Sequence, residues 1–209
     1  MSNKKVHINA SFHEKVEYMR KRLGVDKSFD MIQLDLEYAG KKMAMFLIDG
    51  FAKDDILHLL MKLLAKLDED ALKPDPLEKL IKTYIPYIEI DQANDLDEAG
   101  DLVLAGPTAL IVEGIDEVII IDARTYPARS PEEPDLERVV RGSRDGYVET
   151  IVFNTSLTRR RVRDRSLRME YLQIGRRSKT DICICYLEDI ADTQRVDHLK
   201  QTLKKIDTD

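Results

Sequence analysis

The sequence predicts a mixed α/β (α+β) fold in two subdomains, each built from β-hairpins packed with helices. Three observations support this prediction: strand-like segments occur in pairs around short turns, amphipathic helical segments follow them, and the first hairpin–helix pattern recurs near the C-terminus. The 209 residues, 43% of them hydrophobic, suffice for one large domain or two small ones with a core. No apolar run approaches the roughly 20 residues that a membrane-spanning helix needs.

The first predicted subdomain covers residues 1–122. Ser11 and Glu14 form a capping-box pattern, which starts a helix that Gly24 ends. Alternating polarity predicts a strand over 31–38 with one exposed face, and the wholly apolar segment 43–48 predicts an interior strand. The remaining predicted elements are a helix at 54–67, a helix at 75–83, a short strand at 88–90, a helix at 95–105 capped by Asn94, and a strand pair at 108–112 and 117–122.

The proline-rich segment 123–146 is predicted to be an extended linker, because proline fixes φ and removes a backbone donor. The second predicted subdomain follows at 147–209 and is incomplete. Cys183 and Cys185 lie in one of its strands and are expected to be small core residues. Its predicted elements are a helix over 147–163 with Val148, Ile151, Val152 and Leu157 on the buried side, a hairpin of strands 167–174 and 180–187, and a helix over 193–206 capped by Asp192.

An internal repeat relates the two subdomains at an offset of 139 residues. Both copies read as a hairpin, an acidic turn and an amphipathic helix. The second copy reaches only the equivalent of Asp70, so the sequence predicts either a fragment of a longer chain or a second subdomain that borrows from the first. The offset carries four apolar helix positions, Leu57, Leu60, Leu64 and Leu67, onto Val196, Leu199, Leu203 and Ile206.

The charge is unevenly distributed along the chain. The formal net charge is -6, but residues 135–180 carry about +6, which leaves about -12 for the rest. Two interpretations stay open: a site for an anion or an acidic surface, or a solvated face paired with the acidic remainder. An acidic chain with little aromatic interleaving is a poor match for phosphate-backbone binding, so no nucleic-acid partner is predicted.

No catalytic or metal-binding set is visible in the sequence. The histidines are scattered, and neither they nor the two cysteines occur at metal-ligand spacing. The sequence therefore predicts no enzyme, no metal and no cofactor. The alternative is a soluble α/β nucleotide- or anion-binding enzyme domain that uses the turn from Gly142 to Gly146, whose backbone N–H groups precede a helix but lack the Lys-Ser/Thr of a P-loop.

Residues 133–191 carry the most specific motifs, which read in order EPDLERVVRG, RDGY, NTSLTRRR and KTD. This stretch closely resembles the GerA family of spore germination proteins, of the germinant-receptor A-subunit type. The sequence LIDG at 47–50 and the strand pair within 109–122 also fit, so the resemblance covers most of the chain. Gly142-Ser143-Arg144 stands where receptor A subunits have Gly-Pro-Arg, which favours the subgroup of stage V sporulation protein AF.

The resemblance implies the soluble N-terminal region of a spore inner-membrane protein, on the cytosolic (spore core) side. The implied function is germinant sensing, or assembly and regulation of an oligomeric ion-release channel. The implied partners are other germination membrane subunits, further copies of the same chain, a small-molecule germinant such as an amino acid, and the membrane itself through a C-terminal region outside the 209 residues. The candidate ligand or interface residues are Arg138, Arg141, Arg144, Asp145, Asn154, Arg159, Arg160 and Arg161.

These arginines fall into two groups. Guanidinium groups suit carboxylates, so Arg138, Arg141 and Arg144 are expected to recognise one in the cleft between the subdomains. The consecutive residues 159–161 spread around about 200° of a helix at about 100° per residue, so they cannot all face one pocket. For them the alternatives are a subunit interface, an anionic lipid surface or structural pairing with acidic residues.

Overall fold

The computed structural model describes residues 8–85, 89–124 and 146–206. Residues 8–124 are called the N-terminal unit below, and residues 146–206 the C-terminal unit. The N-terminal unit contains α1 (Phe12–Leu23), β1 (Met31–Tyr38), β2 (Lys41–Ile48), α2 (Asp54–Leu64), α3 (Pro76–Lys79), β3 (Ile90–Ala93), α4 (Leu96–Ala105), β4 (Thr108–Val112) and β5 (Val118–Ile121). The C-terminal unit contains α5 (Ile151–Arg161), β6 (Leu167–Ile174), β7 (Thr180–Leu187) and α6 (Thr193–Leu203).

The predicted mixed α/β fold with antiparallel hairpins is confirmed. Five strands form one antiparallel sheet in the order β1-β2-β4-β5-β3, and β6 and β7 form a second, two-stranded antiparallel sheet. No helix within the described residues is both long and apolar enough to cross a membrane.

Local sequence sets the ends of α1 and the first hairpin, as predicted. The Ser11 hydroxyl accepts a hydrogen bond from the Glu14 backbone N–H, and the Glu14 carboxylate accepts one from the Ser11 N–H. Gly24 ends the helix in the left-handed region, at φ 69°. Ala39 and Gly40 join β1 to β2 with φ 52° and 66°, and two consecutive positive φ values are typical of the type I′ turn that suits a two-residue hairpin.

The strand β2 is interior, as predicted, because it pairs with β1 on one side and β4 on the other. All six residues of 43–48 are buried. Phe46 faces a core built with α1 and α4. Met43 and Met45 face a second core, built with α2 and with apolar residues of the segment 72–123 that follows it. Apolar side chains on both faces of β2 therefore support helices on both sides of the large sheet.

The cap of α4 lies one residue later than predicted. Asp95 caps the helix, since its Oδ1 accepts from the backbone N–H groups of Asp97 at 2.6 Å and Glu98 at 3.2 Å. A carboxylate at this position also interacts favourably with the helix dipole. The prediction of Asn94 as the cap is therefore wrong.

Asp95→Ala is expected to lower the free energy of unfolding by about 0.5–2 kcal/mol, the usual cost of losing an N-cap. Asn94→Ala removes no cap and should change the stability by no more than about 0.5 kcal/mol. Urea unfolding of the two variants measures the difference. Equal losses, or a larger loss for Asn94→Ala, would contradict the assignment of the cap to Asp95.

Several other boundaries differ from the prediction. The helix α2 ends at Leu64, and α6 ends at Leu203, each three residues early. The short helix α3, which Asp75 caps, passes into a π-helical turn at Leu80–Tyr84. The strand β3 occupies Ile90–Ala93 instead of 88–90, of which 86–88 lie outside the described residues.

The helix α5 begins at Ile151, four residues later than predicted, because of the Asn154 side chain. Its Oδ1 accepts from the Val148 N–H and its Nδ2 donates to the Val148 carbonyl, both at 2.7 Å. These bonds satisfy the backbone of Val148 outside the helix. The buried side of α5 is also more polar than predicted and consists of Thr155, Ser156, Leu157 and Arg159.

The strands β6 and β7 begin and end at the predicted residues. Their surroundings differ from the prediction, because Cys183 is only half-buried and Cys185 is exposed. In the part of the chain that the structure describes, no strand pairs with the outer edge of β7. The expectation that both cysteines are core residues is therefore wrong for Cys185.

The internal repeat extends to the backbone. An offset of 139 residues carries β2 onto β7 and α2 onto α6, end for end. Hydrogen bonds repeat with it: the bond from the Phe51 N–H to the Ile48 carbonyl recurs from the Ile190 N–H to the Leu187 carbonyl. The hairpin, turn and helix of the C-terminal unit are thus a second copy of the same structure.

Candidate functional site

A fully buried arginine joins the two units. Arg159 lies in the last turn of α5 and is 0% exposed. Its Nε donates to Asp30 Oδ2 at 2.9 Å, and its Nη2 donates to Asp30 Oδ1 at 3.2 Å. Further N–H groups donate to the Ser28 hydroxyl and to the carbonyls of Leu167 and Asp164 at 3.2–3.3 Å. Partners on both units therefore satisfy this buried cation.

The segment 28–30, which leads into β1, completes this contact. The Ser28 hydroxyl donates to Asp30 Oδ1 at 2.8 Å and accepts from the Met169 N–H at 2.9 Å. The Phe29 N–H donates to the Met169 carbonyl at 3.0 Å. Segment 28–30 thus lies along the outer edge of β6. We call Ser28, Asp30, Arg159 and Met169 the inter-unit junction.

A groove opens beside the junction, between the loop after α1 and the face of the small sheet. Its volume is about 520 Å³. Residues 25–29 form one wall, and Glu170, Tyr171, Tyr186 and Glu188 form much of the other. The rings of Phe29 and Tyr171 contact each other across it, with centroids 5.7 Å apart. We call this cavity the inter-unit groove.

Glu170 and Tyr186 form a hydrogen-bonded pair in the groove. The Tyr186 hydroxyl donates to Glu170, which also pairs with Lys200 of α6 at 2.7 Å. Burial, together with the hydrogen bond to the Glu170 carboxylate, raises the pKa of Tyr186 to about 12. The phenol is therefore a proton donor at any physiological pH, and the paired Glu170 carries no uncompensated charge.

Glu188 connects the two units by charge. It pairs with Lys27 of the N-terminal unit and with Arg168 of β6, the latter at 2.7 Å. The hydrogen bond from Lys27 is the main cause that lowers the pKa of Glu188, and the nearby Arg168 adds to it. The groove therefore holds paired carboxylates that tie one wall to the other.

Glu188→Gln should weaken the pH dependence of stability. Because the pKa of Glu188 is lower in the native state than in the unfolded chain, its ion pairs stabilise the protein above pH about 4.5 and are lost as the pH falls through the lowered native value. Urea midpoints at pH 7 and pH 3 should fall more steeply for the natural chain than for the variant. Parallel loss in both proteins would show that Glu188 does not contribute through its charge.

A second, smaller cavity of about 340 Å³ lies between α5 and β7. Cys183 and Cys185 line it with their Sγ atoms 3.6 Å apart. The hydrogen bond between them raises the pKa of Cys183 and lowers that of Cys185. Asn154 lines the same cavity, but its amide is bonded to Val148. Among the described residues, no group of three or more His, Cys, Asp and Glu side chains could hold a metal ion.

The candidate arginines are not brought together. Arg159 is inside the junction, whereas Arg160 and Arg161 are exposed on α5. The separation of these three neighbours follows the prediction from helical geometry. Arg138, Arg141, Arg144 and Asp145 lie outside the described residues, as does most of the predicted linker.

Sequence reasoning missed Ser28, Asp30, Glu170 and Tyr186. Asp30 directly precedes an apolar strand, which marks it as unusual, but no pattern pairs it with Arg159, 129 residues later. Glu170 and Tyr186 face each other across the β6–β7 register, in which Arg168 is opposite Tyr186. A hairpin prediction with the correct register could have placed that pair together.

Comparisons with known proteins agree with this fold. A family model described as Bacillus/Clostridium GerA spore germination protein matches residues 17–209. Stage V sporulation protein AF of Bacillus subtilis is 40% identical over 205 residues, which are 98% of this chain and 41% of that protein. Uncharacterized membrane protein YfkQ of Bacillus subtilis is 29% identical over 164 residues, which are 78% of this chain and 31% of that protein.

A solved structure shows the same fold. The crystal structure of the N-terminal domain of the A subunit of the Bacillus megaterium spore germinant receptor GerK3 superposes with a TM-score of 0.71 at 21% identity, covering 98% of this chain and 75% of that one. The fold is thus that of a germinant-receptor A-subunit N-terminal domain. The chain belongs to the GerA family of spore germination proteins. It spans about two fifths of the stage V relative's length.

Proposed function

We propose that this chain is the cytosol-facing N-terminal domain of a spore inner-membrane germination protein, and that it assembles and regulates an oligomeric ion-release channel without catalysing a reaction. Its membership of the GerA family supports the germination role, and the similarity to a protein named as a membrane protein supports the membrane. The observation that carries the assembly role is the exposed basic surface at the end of α5.

That surface consists of Arg160, Arg161, Arg163 and Arg165, all exposed within six residues. Arg159 is the neighbour that turns inward and fixes the helix to the N-terminal unit. Guanidinium groups form strong paired hydrogen bonds with carboxylates. The rest of the chain is acidic, so another copy of it, or another germination subunit of similar charge, offers the complementary surface.

The full-length protein in detergent should form a closed ring, and Arg160→Glu/Arg161→Glu should shift it toward monomers. Lys62→Glu/Lys66→Glu is the matched control, because it makes the same charge change at two exposed positions in and just after α2. Light scattering and electron microscopy measure the assembly. A monomeric natural protein, or equal dissociation by both double variants, would contradict the proposal.

The inter-unit groove favours germinant sensing as a second candidate function. Its 520 Å³ lies within the range of small-molecule sites, and it combines two tyrosines with a fixed array of charges. Thermal-shift and NMR titration with amino acids should move resonances of the groove residues, and Tyr186→Phe should weaken binding. Binding of a nucleotide that is lost in Arg144→Ala would instead support the enzyme or nucleotide-binding alternative.

A further inference from the structure

We propose that the outer edge of β7 and the apolar side of α6 form a docking surface for a segment that follows Asp209 in the same polypeptide, and that this segment adds an antiparallel strand to β7. The proposal concerns the completion of the C-terminal unit and does not depend on the proposed function. It follows from a comparison of the two copies of the internal repeat.

Equivalent apolar residues are buried in the first copy and exposed in the second. Leu60 of α2 is 4% exposed, whereas its equivalent Leu199 of α6 is 45% exposed. Phe51 is 1% exposed, and its equivalent Ile190 is 76% exposed. At least two large apolar side chains of the second copy therefore lack the cover that the first copy has, and such positions mark an interaction surface.

The cover of the first copy comes from the chain that directly follows α2. Leu72, Leu80 and Ile85 are buried against α2, together with apolar residues of β4 and β5. The same offset places the equivalent of Leu72 just after Asp209. The residues that would cover α6 by the same rule therefore belong to the continuation of this polypeptide.

The edge of β7 gives the register of the added strand. In the first copy β4 pairs antiparallel with β2 from Met43↔Val112 to Phe46↔Ala109. The equivalents of 43–46 are residues 182–185 of β7, whose only strand partner in the described residues is β6. The outer edge of β6 already holds segment 28–30, so β7 is the edge that remains for growth of the small sheet.

The length of related chains leaves room for this segment. A quarter of the crystallised GerK3 N-terminal domain has no counterpart in these residues. That is more chain than the first copy uses between the end of α2 at Leu64 and the end of β4 at Val112. A second copy of the chain is a less favoured occupant, because the repeat already assigns the cover to the following sequence.

Site-specific photo-crosslinking in the full-length protein tests the proposal. A benzophenone side chain is placed at Leu199, on the apolar side of α6, or at Gln201, on the exposed polar side, as a matched control. The expected product from position 199 is an intramolecular crosslink to sequence after Asp209, with at least about tenfold less of it from position 201. A crosslink to a second copy, or to another part of residues 1–209, would overturn the proposal.

Amide hydrogen exchange provides a second, independent measurement on the unmodified full-length protein. In a two-stranded hairpin every second amide of β7 points to water and exchanges fast, whereas a strand on both sides protects successive amides. All amides of 182–185 should therefore exchange slowly and at the same rate at every protein concentration. Alternating fast exchange would refute the added strand, and protection that grows with concentration would assign the edge to a second copy.

Discussion

Arg159→Met is expected to lower the free energy of unfolding by about 3–5 kcal/mol, because it leaves Asp30 as a buried, uncompensated charge. Asp30 is 1% exposed, and Arg159 supplies two of its hydrogen bonds. Chemical denaturation of the purified chain measures the loss. The C-terminal unit should also separate from the N-terminal unit, which limited proteolysis detects as cleavage near the junction.

Arg161→Met is the matched control, since it makes the same substitution two residues later on the exposed side of α5. Its effect should stay within about 0.5 kcal/mol, as for most surface changes. Asp30→Leu combined with Arg159→Met removes both charges and should recover much of the single variant's loss. Equal effects of Arg159→Met and Arg161→Met would contradict the role of Arg159 in the junction.

Leu60→Ala is expected to destabilise the chain by about 2–5 kcal/mol, whereas the equivalent Leu199→Ala should cost no more than about 0.5 kcal/mol. Leu60 is 4% exposed in the core under the large sheet, so its truncation leaves a cavity. Leu199 is 45% exposed and has little packing to lose. The internal repeat thus provides the same substitution at the same helix position in two environments.

Urea unfolding of the 209-residue chain measures both losses. In the full-length protein the docked segment should bring the cost of Leu199→Ala close to that of Leu60→Ala. Similar costs in the 209-residue chain would show that α6 is already covered there. A small cost for Leu60→Ala would contradict the assignment of α2 to the core.

The predictions from sequence succeeded where short-range pattern decides the structure. The strands β1, β6 and β7 begin and end at the predicted residues, because alternating polarity and turn residues act over a few positions. The capping box at Ser11 and Glu14 is equally local. The repeat was detectable because the same apolar spacing recurs at one offset.

The failures arise where a side chain acts outside its own element. The helix α5 starts late because Asn154 bonds to Val148, which hydrophobic periodicity does not register. Arg159 looked like one of three surface arginines, since its partner Asp30 is 129 residues away in sequence. Cys185 was expected in the core because its neighbours are apolar, yet burial depends on a strand beyond the edge of β7.

Segment 28–30 has a mechanical consequence. It runs directly into β1, and its backbone is bonded to β6 through Phe29 and Met169, so main chain as well as side chain fastens the small sheet to the large one. A tilt of the small sheet would therefore load the first residue of β1 before it disturbed the helices on the large sheet. The two sheets form a lever with its fulcrum at Asp30, and the inter-unit groove lies beside that fulcrum, where a small change in width produces the largest swing at the far end.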